Sequence, residues 1–406
     1  RGYNIYITMP SNMSEERKRM MEFYGARIIE TDAGDFDGAI ELRDEMCEKR
    51  GWFNCNQFHN PLNVKAHYNT TGPEIYNQYK DTNGEKEPDV LVVARKGSPL
   101  IVGVGSDEYV VASDSSAIVA HTTQAFHLDD ETVARLTRDS FRTTTIDNVE
   151  LTPEIRELEY SLEQIELGEF KHFMLKEIYE QPLTLSTCMK GRVDAANGQV
   201  ILGGVADFAN ELAKGKRMLL LGQGTALHAA MIGEYLMESL AGIPAEVEYA
   251  SEFRYRNPIV EEGTTAVAIS QSGETADTLA AVQEAKRRGA LSLGAVNVVG
   301  STIARETDAG IYLRVGPEIG VASTKAFIGQ VAVLTMLAGY IGRRRHLAKE
   351  EMVELLSHLE SMPRHIETVL GESDHILNVT KGVVDQDNWL FLGRGLNYPV
   401  ALEGAL

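Results

Sequence analysis

Apolar and polar positions are arranged in three different ways along this chain. In the first stretch, residues 3–8 read as a strand, and SNMSEERKRMMEFYGA predicts a helix with Ser11 or Ser14 as its cap and Gly25 as its stop. RIIETD then predicts a second strand and 37–49 a second helix, which is α/β alternation. Beyond the polar run YKDTNGEKEPD the apolar runs shorten. VLVVAR, LIVGVG, YVVAS and AIVAHT predict short strands spaced for antiparallel pairing through tight turns. Residues 154–167 and 170–180 predict helices, the second halted by Pro182.

From about Val200 the pattern lengthens again. MLLLG, AEVEYA, TTAVAIS, SLGAVNVVG and AGIYLRV predict strands, with ALHAAMIGEYLMESLAG and TADTLAAVQEAKRRG as helices between them. An apolar helix is expected over 323–341 and an amphipathic one over 349–370, and WLFLGRG reads as the first strand of a further unit. Strand and helix alternating through short loops imply a doubly wound parallel sheet.

Composition narrows the picture. A chain of 406 residues predicts two or three domains. The net charge of -20 argues against nucleic acid and anionic membranes as partners, though backbone amides can still supply a local anion site. Cys47, Cys55 and Cys188 form no CxxC pair and no even framework, so a reduced cytoplasmic setting is expected. There is no signal peptide pattern and no apolar run of ~18 residues, so no membrane span is expected. The first residue is Arg1, inside what reads as a domain, and the last residues stop inside a helical pattern. The sequence therefore reads as a piece of a longer protein.

Parallel α/β sheets bind ligands at the carboxyl ends of their strands. Three loops there attract notice: GQGT at 222–225, SQSGET at 270–275 and EIGVAST at 318–324. A helix N-terminus offers unpaired N–H groups and a favourable dipole to a phosphate, and Ser and Thr hydroxyls add donors. Gly224, Gly273 and Gly320 let the backbone approach closely. For any one loop, plain helix capping is the stronger reading. Three such loops on one sheet favour an anion site. Lys325 in the first turn of a helix adds little, and a solvated side chain is its simpler reading. No Walker loop, complete Rossmann fingerprint, HExxH or GxSxG is present, and no metal site is expected. His67, His172 and His228 read as packing or surface residues.

SQSGETADT, YASEFRYR, GVASTKAF, HFMLKEIYEQP and FLGRGLNYPVALEGAL together resemble the isomerising glutamine–fructose-6-phosphate aminotransferase family, over about 88–406. The resemblance implies an N-terminal-nucleophile glutaminase domain followed by two sugar isomerase (SIS) lobes. Ammonia from glutamine passes to fructose 6-phosphate, giving glucosamine 6-phosphate without a cofactor. It implies that Thr225, Ser270, Gln271, Ser272 and Thr275 hold the sugar phosphate. Val321, Ala322 and Ser323 would line the sugar, with Glu318 beside them. The first loop departs from the family's CGTS, with Gln223 and Ala226 in place of a cysteine and a serine. The resemblance also implies domains at 88–148 (the last part of the glutaminase-like domain), 149–199 (a helical linker), 200–370 (the first SIS domain) and 371–406 (the start of the second). Glu403 matches a family glutamate. The family's nucleophile and its isomerising, ring-opening and Schiff-base residues have no counterpart in these residues, so no catalytic residue is assigned and the chain by itself is expected to be inactive. The family's full-length members imply a homodimer.

Residues 1–80 resemble cysteine synthase, a fold-type II pyridoxal-phosphate enzyme, through RGYNIYITMPSNMSEERKRMMEFYGARIIETD and NQFHNPLNVKAHYNTTGPEI. Gln57 would be the substrate-loop glutamine. The cofactor lysine and the glycine-rich phosphate loop have no match here, so a structural remnant without cofactor is expected. The join at 80–88 resembles a fusion of two unrelated pieces. Two alternatives to an aminotransferase-derived chain stay open: a non-catalytic SIS sugar-phosphate-binding module and a cysteine-synthase-like enzyme.

Overall fold

In the computed structural model, the described residues are 5–11, 15–32, 36–54, 65–66, 68–74, 90–96, 99–113, 115–158, 166–386 and 388–406. The chain divides into two compact units, 1–88 and 89–406.

In the first unit, β1 (Ile5–Pro10) and β2 (Ala26–Thr31) pair in parallel, joined by α1 (Glu15–Phe23), and α2 (Phe36–Arg50) follows. Gly25 ends α1 at a φ of +85°, a conformation that costs glycine little. This is the expected alternation. The motif at 55–64, with Gln57 in it, lies outside the described residues, as do Cys55, Ser14 and His67.

The second unit opens with two four-stranded antiparallel sheets. One is built from β3 (Leu91–Arg95), β7 (Thr132–Leu136), β8 (Phe141–Thr145) and β9 (Glu150–Leu151). The other holds β4 (Ile101–Val104), β5 (Tyr109–Ala112), β6 (Gln124–His127) and β10 (Arg156–Glu157). Val102, Phe126, Leu128, Ala134 and Leu136 form one buried cluster that both sheets share, so the two pack face to face. AIVAHT is not a strand. Ile118 and Val119 are buried in a tight turn, where Ser115 O accepts both of their N–H groups. The apolar run reflects burial, and burial alone does not distinguish a strand from a turn.

The segment 149–199, expected to be a helical linker, is helical only in part. β9 and β10 extend the antiparallel layer to Glu157, and the helix α3 (Phe173–Met189) runs straight through Pro182. The proline lacks one N–H, yet it lies inside α3 as one of its buried residues. The hairpin β11 (Val193–Asp194) and β12 (Gln199–Val200) follows.

A short α4 (Ala209–Lys214) leads into the main sheet, which is entirely parallel. Its strands are β13 (Arg217–Gly222), β14 (Ala245–Tyr249), β15 (Thr264–Ser270), β16 (Leu291–Val296) and β17 (Ala309–Tyr312). They lie in the order β14-β13-β15-β16-β17, so the direction of winding reverses between β13 and β15. Alternation sends Met218, Leu220, Val267 and Ile269 to one face and Leu219, Leu221, Ala266 and Ala268 to the other.

The larger side chains meet α5 (Thr225–Leu236) and the helices of the first face. The other face carries α6 (Ala250–Tyr255), α7 (Ala276–Arg287) and α8 (Thr302–Glu306). The first face also holds α9 (Lys325–Arg345) and α10 (Lys349–Gly371). By length and composition α9 could cross a membrane, yet most of it is buried inside this lobe, as a core helix is.

α11 (Ser373–Lys381) and α12 (Asn397–Ala405) complete the chain. WLFLGRG between them is not a strand. No described strand runs alongside it, and a parallel strand exists only through the ladder to its neighbour.

Candidate functional site

β13 and β15 are neighbours, and the winding reverses between them. Their carboxyl ends deliver the loops 222–225 and 270–275 to that crevice, where open α/β sheets take their ligands. The third loop follows the edge strand β17. The three loops differ in what their donors already hold.

In the first loop Gly224, at a φ of +53°, is the N-cap of α5. Its carbonyl accepts from Leu227 N and His228 N at 2.9 and 3.2 Å, and Gln223 O accepts from Ala226 N, so the first turn is closed on itself. The Thr225 hydroxyl donates to Glu403 Oε1 at 2.7 Å. The other oxygen of Glu403 lies 2.6 Å from His228 Nδ1. His228, expected to be a packing or surface residue, is therefore tied to Thr225 through a carboxylate from α12.

The second loop keeps its donors. Ser270 is buried; its Oγ accepts the Gly273 N–H at 3.0 Å and lies 2.9 Å from Thr275 Oγ1. Ser272 Oγ accepts the Glu274 N–H at 3.1 Å, which leaves the Ser272 proton available to an acceptor. Thr275 is the N-cap of α7, yet no side chain caps that helix. With Ser270 donating to Thr275, the Thr275 proton is also available. Gly273 has a φ of +66°, and a Cβ there would stand 2.0 Å from Ser301 Oγ, so only glycine fits. Gln271 is half-buried, and its carbonyl accepts from Asn297 N at 3.2 Å.

The third loop is already occupied by carboxylates. Glu318 accepts from the Ser323 hydroxyl at 2.7 Å and from the N–H groups of Thr324 and Ala326 at 2.9 and 3.1 Å, capping α9. Glu177 of α3 takes the N–H groups of Ile319 and Gly320 at 2.6 and 3.0 Å. Burial pushes the Glu318 carboxyl above its ordinary range, its hydrogen bonds oppose that, and nearby Glu177 adds to it. Lys325 is not a solvated side chain: it is buried and donates to Glu180 Oε2 at 2.6 Å. Val321 and Ala322 are exposed. Among the described residues, no hydrogen bond joins this loop to the other two.

Sequence reasoning passed over Glu274 and Arg95. Glu274 lies inside SQSGET, but its carboxylate points away from the hydroxyls to Thr302. Arg95 ends β3 in a run read only as a strand, so its pattern held no signal for a site role.

A five-stranded parallel sheet in this order, with a hydroxyl-rich loop and an uncapped helix at the switch point, is a doubly wound α/β lobe with its ligand crevice between β13 and β15. A model of the SIS domain family matches residues 211–339, and a model of the pyridoxal-phosphate dependent enzyme family matches 1–234. The latter match extends across the antiparallel layer and overlaps the SIS match. The glutamine–fructose-6-phosphate aminotransferase of Chlorobaculum tepidum is 52% identical over 321 residues, covering 79% of this chain and 52% of that protein. That of Bacteroides thetaiotaomicron is 46% identical over 336 residues, covering 82% and 55%. The solved C-terminal domain of glucosamine-fructose-6-phosphate aminotransferase from Francisella tularensis is 35% identical with a TM-score of 0.57, covering 59% of this chain and 68% of that one. The chain belongs to the glutamine–fructose-6-phosphate aminotransferase family and, through the match that begins at its N-terminus, to the pyridoxal-phosphate dependent enzyme family. It spans about half the length of the curated relatives it matches.

Among the described residues of 1–88, neither Lys18 nor Lys49 is placed to hold pyridoxal phosphate. Lys18 is buried, with its amine held by Ser11 O at 2.5 Å and Glu30 at 2.6 Å, and Lys49 is paired with Glu45. Gly25 and Gly51 have open space where a Cβ would stand, so neither brings backbone close around a phosphate.

Proposed function

We propose that residues 270–275 and the start of α7 hold the phosphate of fructose 6-phosphate or glucosamine 6-phosphate. In the whole protein, the ketose phosphate bound here would receive an amino group that originates from glutamine. The observation that carries this reading is the uncapped N-terminus of α7 beside the Ser272 hydroxyl, which accepts one hydrogen bond and has its proton to give, and the Thr275 hydroxyl, which shares a hydrogen bond with Ser270. A phosphate dianion there accepts from Ser272, Thr275 and first-turn N–H groups, and the helix dipole favours its charge. Ser270 acts one step back, orienting Gly273 and Thr275. Gln271 stands at the rim. Thr225 reaches the ligand only if its bond to Glu403 is exchanged. Glu318 and Ser323 hold the start of α9, which presents Val321 and Ala322 at the surface towards the sugar.

On this reading the antiparallel layer is the last part of the glutaminase domain. A cytoplasmic setting suits the free thiols of Cys47 and Cys188. A homodimer is carried by the family resemblance alone.

Titrating the chain with fructose 6-phosphate, with fructose as the control, tests the site by thermal shift and calorimetry. Saturable stabilisation by the phosphate ester alone is expected. Ser272→Ala and Thr275→Ala should each weaken binding by about 1–3 kcal/mol, as for lost hydrogen bonds to a charged group. No shift at millimolar ligand sinks the cradle. Unchanged affinity in both variants returns these hydroxyls to a purely local role.

A further inference from the structure

Arg95 sits at the end of β3, in the antiparallel layer, with its side chain 1% exposed. A guanidinium removed from water needs acceptors, and each one it has found marks a position it controls. Its Nη1 donates to Leu128 O at 2.5 Å, which anchors it within its own layer. Its Nη2 donates to Thr302 Oγ1 at 2.7 Å and lies 3.5 Å from Glu274 Oε2. The Thr302 hydroxyl in turn donates to Glu274 Oε2 at 2.7 Å, and the Thr302 N–H donates to Oε1 at 2.8 Å. The proton donors therefore run in one direction, from Arg95 through Thr302 to Glu274.

Glu274 is also the residue whose N–H donates to Ser272 Oγ. Its carboxylate thus determines where that N–H points, and the N–H determines where the Ser272 hydroxyl stands. The loop has no slack to absorb a change. Gly273 O accepts from Ile303 N at 3.0 Å, and Gly273 has no room for a Cβ against Ser301. There is a charge consequence as well. An ionised carboxylate inside a loop that receives a dianion opposes binding unless a cation answers it, and Arg95, whose Nε also lies 3.2 Å from Oδ1 of the exposed Asp130, is the buried cation 3.5 Å from Glu274.

We propose that Arg95 is a positioning residue for the phosphate loop. From the antiparallel layer, and through Thr302 and Glu274, it fixes the Ser272 hydroxyl and neutralises the carboxylate behind the ligand. This rests on the reading of 270–275 as the sugar-phosphate site. It adds that the parallel lobe's site is completed by a residue from the layer before it.

The test is calorimetric titration of the full chain with fructose 6-phosphate, comparing the parent with Arg95→Gln, Glu274→Gln, the double variant and Arg95→Lys. Arg95→Gln should bind about tenfold or more weakly. Adding Glu274→Gln to it should cost nothing further and should recover part of the loss, because the unanswered carboxylate is gone. Arg95→Lys should fall between, since it restores charge without the fork. A role confined to stability would lower the melting temperature while the folded variants bound as the parent does. Equal affinity of parent and Arg95→Gln, or losses that simply multiply in the double variant, overturns the proposal. Absence of binding by the parent overturns the site reading itself, and the proposal with it. If Arg95→Gln does not fold, Thr302→Val removes the hydroxyl that links the two residues while the Arg95 charge stays, and should give a partial loss, with an unchanged affinity overturning the proposal.

Discussion

Which hydroxyls still have a proton to give is decided residue by residue. Ser272 accepts one hydrogen bond and keeps a proton, Thr275 shares a hydrogen bond with Ser270, and Ser323 spends its proton on Glu318. His127 gives a second case where one residue's surroundings decide its behaviour. Its Nδ1 is buried without a hydrogen-bond partner. Burial first, and then the charges of Arg305, Arg95 and Arg156, lower its pKa from 6.5 to about 4, against a small opposing pull from Asp129. The folded chain therefore prefers neutral imidazole. The sign follows: this stability is complete above pH 6.5 and is lost as pH falls toward about 4. It amounts to at most about 3 kcal/mol. Urea unfolding of the parent and His127→Gln, followed from pH 7 to pH 4.5, should show a shallower acid loss in the variant. Identical slopes would show that the imidazole charges without penalty.

At the scale of elements, what the sequence pattern could reveal followed burial. β13 and β15 are buried on both faces, so their apolar runs were plain, and α10 is amphipathic over its whole length. The misreadings share one cause. Ile118 and Val119 are apolar because they are buried, but in a turn. Pro182 reads as a stop, yet α3 is held by its packing. WLFLGRG has strand composition and no partner strand. In the site, helix starts were legible from Gly and hydroxyl residues. Which starts were already filled was not, because Glu177 and Glu403 reach them from other elements.

The start of α9 makes this testable. Glu318→Ala removes the acceptor for Ser323, Thr324 N and Ala326 N, and should cost about 1–3 kcal/mol. Glu318→Gln keeps an acceptor oxygen and should cost less at pH 7. Burial raises the folded pKa of Glu318, so its contribution is greatest below the usual 4.5 and falls as pH rises through the folded value. Melting curves at pH 5 and pH 7 check both points. A Gln variant as unstable as the Ala variant at pH 7 would show that the charge itself holds the helix start.

At the scale of the whole molecule, the two units carry unequal amounts of structure. Among the described residues of 1–88, the buried apolar side chains are Met9, Pro10 and Ala39, around a two-stranded sheet. Sheets that small are marginal unless something else supports them. The unit 89–406 holds the four apolar clusters and every residue of the proposed site, Arg95 included. No described residue of the first unit belongs to these clusters, so the fold and ligand affinity of 89–406 should not depend on it. A chain beginning at residue 89 should keep the main melting transition and bind fructose 6-phosphate within about twofold of the full chain, since the proposed site and the cores under it lie within 89–406. Loss of binding, or a main transition shifted by many degrees, would show that residues 1–88 take part in the site. Retained binding would mean that two families meet in one chain while the sugar-phosphate chemistry belongs to one of them.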